Sequence, residues 1–198
     1  VNNARSIEST VDKLYTSYLL KKNKINCPET YIFRGQKAAS GFISNYNFKS
    51  KLIYKPLFGS QGDNIRLIER PSDLEKLENQ TNIYYFQEYL DNSPNYDYRV
   101  LVININDNIK YFYMTRYGET FINNFSKGAK CIKEKLNEDV IELAIKSSRL
   151  LNIDFCGVDI IEYKRQYYVI EVNSIPAWKG LQKVESANIS DYITSLFA

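Results

Sequence analysis

The tightest constraint on how this chain folds is a pair of strand-like runs, Gly157-Val158-Asp159-Ile160-Ile161-Glu162-Tyr163 and Tyr167-Tyr168-Val169-Ile170-Glu171-Val172-Asn173, joined by Lys164-Arg165-Gln166. Runs this close in sequence read as two strands of one antiparallel hairpin. With Tyr163 facing Tyr167 across a three-residue loop, the register sets Asp159 opposite Glu171. Asn173 then shares their face, because side chains repeat every second residue along a strand. Opposed carboxylates repel unless something neutralises them, and a cluster of oxygen ligands suits a hard cation, above all magnesium held together with a phosphate. The competing reading is an exposed hairpin with scattered acids.

Composition narrows the chemistry further. The 198 residues include no histidine, which removes Ser-His-Asp and Cys-His nucleophilic sites, histidine-bearing zinc sites and an imidazole base. Catalysis here must run on carboxylates, cations and a metal. A formal charge of +3 with dispersed lysines gives no nucleic-acid surface. No apolar run approaches the roughly 18 residues of a membrane span. Cys27, Cys131 and Cys156 are odd in number and lack C-x-x-C spacing, so they read as reduced thiols of a cytoplasmic (cytosolic) protein. The length suits one large domain or two small lobes, and the start at Val1-Asn2-Asn3 reads as a processed or excised piece.

The order of elements predicts an α+β fold. Apolar spacing predicts a helix over 6–21, an extended piece from Cys27-Pro28, strands over 52–57 and 65–69, and a short helix from the capping-box spacing of Ser72 and Glu75. A strand over 83–90, a hairpin of 97–105 and 109–117 around Asn106-Asp107-Asn108, an amphipathic helix over 138–151 and a last helix from Ser190 complete the pattern. Hairpins followed by crossover helices argue against a doubly wound parallel sheet.

A second motif, Lys55-Pro56-Leu57-Phe58-Gly59-Ser60-Gln61-Gly62-Asp63, places a lysine at the end of a strand before a loop with two glycines and a hydroxyl. Such a loop can turn its backbone N–H groups onto phosphates while the ammonium meets their oxygens. It is not a P-loop, because the lysine precedes the glycines and a strand follows. The alternative role of Gly59 and Gly62 is a tight hairpin turn.

In chain order, Asp12-Lys13-Leu14, the Lys55–Gly62 motif, Gln87-Glu88-Tyr89, Asp97-Tyr98-Arg99, Arg116, Asn123-Asn124, Asp159 and Glu171-Val172-Asn173 resemble the ATP-grasp superfamily, specifically its RimK-type glutamate ligases. The resemblance covers almost the whole chain as one ATP-grasp domain, 1–198, with a first lobe over 1–88 and a second over 89–198. It implies two α+β lobes gripping ATP between two antiparallel sheets, and a reaction in which ATP phosphorylates a carboxylate before an amine displaces phosphate. By this similarity Lys13 and Lys55 bind phosphates or the adenine side, with Gly59, Ser60 and Gly62 in the phosphate loop. Gln87, Glu88 and Tyr89 lie at the adenine-reading hinge, Asp97 approaches the ribose, and Asn123 and Asn124 lie near the phosphates. Asp159, Glu171 and Asn173 match the metal ligands, for magnesium or manganese.

Two anions, ATP and a carboxylate, must meet, so cations have to cancel their repulsion. Arg116 is the cation expected to stabilise the developing acyl-phosphate, with a cross-strand salt bridge as its alternative role; Arg99 does the same work or orients Asp97. Asn173 has a strand-end turn before Pro176 as its alternative. The tail Asn173-Ser174-Ile175-Pro176-Ala177-Trp178-Lys179-Gly180-Leu181-Gln182 looks most like the branch that adds glutamate to tetrahydromethanopterin-type pterins. Asp63-Asn64 stand where many relatives carry more glycine, which bears on closure of the phosphate loop, while Ile122, Ser126 and Lys127-Gly128-Ala129 depart from the protein-modifying members, so a different acceptor is expected. Expected partners are therefore ATP, glutamate and a carboxylate on a pterin-like small molecule or a protein, with self-association left open. Family members also carry an amino-terminal domain of about a hundred residues, an addition of ordinary domain size. A non-catalytic, regulatory nucleotide-binding module and a ligase for other amines remain alternatives.

Overall fold

The computed structural model describes residues 2–59, 62–79, 81–92, 94–119, 125 and 128–197. Ser60, Asn123 and Asn124, three of the expected nucleotide contacts, lie outside them. In chain order the elements are α1 Ala4–Val11, α2 Lys13–Lys22, β1 Thr30–Arg34, α3 Gln36–Asn45, β2 Leu52–Lys55, β3 Arg66–Ile68, a 3-10 helix Pro71–Lys76, β4 Ile83–Glu88, β5 Tyr96–Ile105, β6 Asn108–Tyr117, β7 Lys130–Ile132, α4 Glu138–Leu150, β8 Phe155–Tyr163, β9 Gln166–Asn173, α5 Lys179–Gln182 and α6 Ile189–Thr194. They form two compact units, each around its own antiparallel sheet, as the α+β expectation requires.

The smaller unit, Pro28–Leu90, has the strand order β1-β4-β2-β3. Its core is aromatic: Phe33 and Phe42 stack at 4.7 Å, and Phe86 packs against both as well as against Tyr54 and Tyr84. Pairs of this kind contribute about 0.5–1.5 kcal/mol each beyond the area they bury. Helix α3 carries no local signal that announces it. It has no side-chain cap and contains Gly41, but it buries Ala39 and Ile43, one turn apart, on the sheet. Tertiary packing, rather than propensity, holds it. The 3-10 helix also starts differently from its Ser72 expectation. Pro71 opens it, and the Asp73 carboxylate, not Glu75, accepts from the N–H groups of Glu69 and Arg70.

The larger unit has the strand order β7-β6-β5-β8-β9. One face buries Val100, Val102, Cys156, Val158, Ile160, Val169 and Val172 against α4, with Leu20 of α2 joining. Leu101, Ile103, Phe112 and Met114 on the other face meet Leu181 and Ile189 of α5 and α6. Residues up to Cys27 belong to this unit together with Asp91–Ala198, although they precede the smaller unit in the chain. Side-chain anchors explain why. Asn2 Nδ2 donates to the carbonyls of Phe155 and Ser174 at 2.6 and 2.7 Å, and Ser6 Oγ donates to Asn152 O at 2.6 Å. The single helix expected over 6–21 is two, because Asp12 leaves the helical conformation and its carboxylate caps α2 by accepting from the N–H groups of Leu14 and Tyr15. No described helix is long and apolar enough to cross a membrane.

Candidate active site

The hairpin of β8 and β9 reaches the expected pairing by an unexpected route. The turn is two residues, Lys164 and Arg165, both at positive φ (51° and 62°), so Tyr163 pairs with Gln166 rather than with Tyr167. The uninterrupted register would set Ile170 opposite Asp159 and turn Glu171 onto the α4 face, since a slip of one residue exchanges the two faces of a strand. A bulge at Ile170 absorbs the extra residue: Ile160 pairs with Val169, then Asp159 with Glu171 and Gly157 with Asn173. Val169 and Val172, three apart, thereby both enter the α4 core, and Glu171 avoids being buried among valines. Burying a lone carboxylate there would cost several kcal/mol, which is enough to select the bulged register.

Across the same face runs a row of charges that local sequence could not assemble. Strand β5 lies between β6 and β8, so Asp97 pairs with Arg116 and Arg99 with Asp159. Arg116 Nε and Nη2 donate to Asp97 Oδ1 and Oδ2 at 2.6 and 2.7 Å, a bidentate bond, while Arg116 Nη2 also stands 3.0 Å from Asp159 Oδ1. Arg99 Nε reaches the same oxygen at 2.7 Å. Arg99 thus offsets the charge of Asp159 opposite Glu171. Burial drives Arg99 below the usual arginine range against the upward pull of Asp159, whereas for Arg116 the pull of Asp159 and Asp97 outweighs burial and leaves it firmly charged. Lys13, the first residue of α2, is half-buried; burial lowers its pKa, and the charges of the Glu171 and Asp12 carboxylates oppose that shift.

Arg116 does make a cross-strand salt bridge, but a buried one, with its side chain only 3% exposed; Arg99, at 12%, is the more accessible cation. Asp97 is buried with both oxygens committed to Arg116, which makes it an anchor for that arginine.

The smaller unit carries the other expected contacts. Lys55 Nζ donates to Gln87 Oε1 at 2.7 Å, and Gln87 Nε2 in turn donates to Thr30 Oγ1 at 3.2 Å. Gly59 and Gly62 adopt φ of 148° and 73° in the loop after β2, conformations that favour glycine. Glu88 Oε1 accepts from the hydroxyls of Tyr31 and Tyr46 at 3.4 Å each. Burial, then Glu88, pushes the Tyr31 hydroxyl up to about 12, so it stays a donor. These two tyrosines were not among the expected site residues; Tyr46 follows α3, the helix without a local signal. Tyr89 gives its N–H to Lys51 O at 2.8 Å.

The donors on the large unit fit a hard divalent cation. Asp159, Glu171 and Asn173 share one face and offer only oxygens for it, and the buried Asp159 Oδ1 has no aligned hydrogen bond despite its two cationic neighbours. Among the described residues no group of three or more His, Cys, Asp or Glu forms a metal cage, so two carboxylates and an amide suit an ion whose remaining ligands are phosphate and water.

A family model described as RimK-like ATP-grasp domain matches residues 10–196. Tetrahydromethanopterin:alpha-L-glutamate ligase of Methanocaldococcus jannaschii is 28% identical, over 96% of this chain and 67% of that protein. Alpha-aminoadipate–LysW ligase LysX of Saccharolobus solfataricus is also 28% identical (98% and 72%), and coenzyme gamma-F420-2:alpha-L-glutamate ligase of M. jannaschii is 31% identical (93% and 65%). Among solved structures, D-alanyl-alanine synthetase A of Vibrio cholerae superposes with a TM-score of 0.77 at 10% identity, over 97% of this chain and 65% of that one. ATP-grasp ligase PsnB in complex with minimal precursor, Mg and ADP superposes with 0.68 at 18% (100% and 62%). The structures show a shared fold, and the chain spans about two thirds of the length of these proteins. With the family model matched over nearly its whole length, the chain belongs to the RimK-like ATP-grasp family.

Proposed function

We propose that this chain is the nucleotide- and metal-binding part of an ATP-dependent carboxylate–amine ligase that joins the amine of L-glutamate to a carboxylate. The observation that carries the reading is the convergence of Arg99 and Arg116 on Asp159, which faces Glu171 across the hairpin. Asp159, Glu171 and Asn173 would hold Mg²⁺, which supplies charge neutralisation for phosphate oxygens. A carboxylate oxygen of the acceptor attacks the γ-phosphorus, the bond to the β-phosphate oxygen breaks, and ADP leaves. The amine nitrogen then attacks the acyl carbon, loses a proton, and expels phosphate as the amide forms. In both steps negative charge develops on phosphoryl oxygens. Arg99 is the cation best placed to meet it, Arg116 fixes Asp97 and Asp159 around it, and Lys13 and Lys55 bind phosphates.

The acceptor we favour is a small, pterin-like carboxylate. The tail after Asn173 and the tetrahydromethanopterin ligase among the relatives support it. Trp178 is half-buried and meets Phe155 edge-on at 6.1 Å, leaving part of its ring for a planar ligand. Screening amino acids against a tetrahydropterin carboxylate and a protein carboxyl terminus for ADP release, with mass spectrometry of the product, tests the reading. Glutamyl addition to the pterin, lost at least a hundredfold in Glu171→Gln, is expected. ADP release indifferent to every amine would favour a non-ligating nucleotide-binding module.

A further inference from the structure

Gly157 brings no functional group of its own, yet the site closes tightly over it. It sits on β8 two residues before Asp159, paired with Leu101 on one side and Asn173 on the other. A Cβ at this position would stand 2.4 Å from Arg99 Nη1, 2.9 Å from Pro176 Cβ and 3.4 Å from Arg99 Cδ. Real Cβ atoms essentially never approach within 3.0 Å. The backbone needs no left-handed conformation here, so what opposes a side chain is space: it would have to displace the end of Arg99 and press on the stiffer ring of Pro176. The guanidinium lies where a side chain would be, and buried Pro176 closes the other wall.

That wall is itself anchored. Ser174, two residues before Pro176, is buried; its hydroxyl is 2.7 Å from Thr10 Oγ1 of α1, and its carbonyl accepts from Asn2 Nδ2 at 2.7 Å. We infer that Gly157 and Pro176 form a slot that holds the Arg99 guanidinium against Asp159, which makes both of them positioning residues for that cation. The slot is a property of the fold, while its use in phosphoryl chemistry rests on the ligase reading. An arginine has many rotamers, and stabilising developing charge requires one of them; a slot formed on folding removes the search.

The test reads Arg99 directly. In the intact chain, the Arg99 Nε–Hε NMR signal, assigned by its loss in Arg99→Lys, should exchange with solvent at least tenfold faster in Pro176→Gly. The Arg116 signal, held by Asp97, should change less than twofold. Gly157→Ala should raise the unfolding equilibrium constant at least tenfold, and by at least threefold less in an Arg99→Lys background, where Nη1 is gone and the 2.9 Å approach to Pro176 Cβ remains. If Gly157→Ala does not fold, Pro176→Gly decides, because it adds no atom. No change at Arg99, equal changes at Arg99 and Arg116, or the same Gly157→Ala effect in both backgrounds overturns the slot. Absence of ATP turnover would instead sink the ligase reading and leave these readouts to judge the slot on their own.

Discussion

Replacing Asp97 by asparagine keeps the shape of the side chain, removes one charge, and turns an amide NH₂ toward a guanidinium that has only donors. Asp97 is 4% exposed and Arg116 3%, so water cannot restore what the aspartate supplied. Removing one partner of a buried ion pair costs about 3–5 kcal/mol. Arg116 keeps Asp159 Oδ1 at 3.0 Å, so the lower end, about 3 kcal/mol, is expected. At this chain length that lowers Tm by about 6–12 °C. The single tryptophan, Trp178, belongs to the larger unit and packs against Phe155, so its emission during urea unfolding reports that unit alone. The midpoint should fall with the slope unchanged. Replacing the pair together, Asp97→Leu with Arg116→Met, should cost less than the two single changes combined, because no charge is then left buried and unpaired. A loss below about 1 kcal/mol, the worth of an exposed ion pair, or strict additivity would refute the argument that this pair is desolvated.

Deleting Ile170 removes the residue the bulge absorbs, so Glu171 should follow Val169 in a regular ladder and still face Asp159; a chain whose hydrogen-exchange pattern shows Val172 released from the α4 face would contradict this. Lys55→Met should weaken Mg·ATP binding and destabilise the smaller unit by about 0.5–1.5 kcal/mol, the net worth of the lost Lys55–Gln87 hydrogen bond; circular dichroism and nucleotide titration check both effects. Burial pushes the Cys156 thiol up to about 12. Above the ordinary thiol pKa of about 8.5 the unfolded chain therefore loses a proton that the folded chain keeps, and stability should fall as pH rises from there toward 12. A disulfide reagent should label half-exposed Cys27 and Cys131 first and Cys156 only at the unfolding rate; equal rates would contradict its burial.

Much of the fold was legible because it is written in short windows. Period-two alternation located the two long hairpins, period 3.6 located α4, and Asn106-Asp107 announced its turn. The face shared by Asp159, Glu171 and Asn173 was also readable, although the loop length assumed for it was one residue too long and the Ile170 bulge compensated. Windows of that size hold no information on which strands become neighbours. Only the tertiary structure inserted β5 between β6 and β8, and so brought Arg99 and Arg116 onto one aspartate oxygen and paired Asp97 with Arg116. It alone joined the first 27 residues to the larger unit, through Asn2 and Ser6 bonding to residues more than a hundred positions away, and held α3 by what it packs against. Side-chain period and turn chemistry are properties of the local backbone, which the sequence by itself determines. Strand order, the bulge that spares Glu171 from the core and the neutralisation of buried charge depend on the free energy of the whole packed sheet, and that is decided only when it forms.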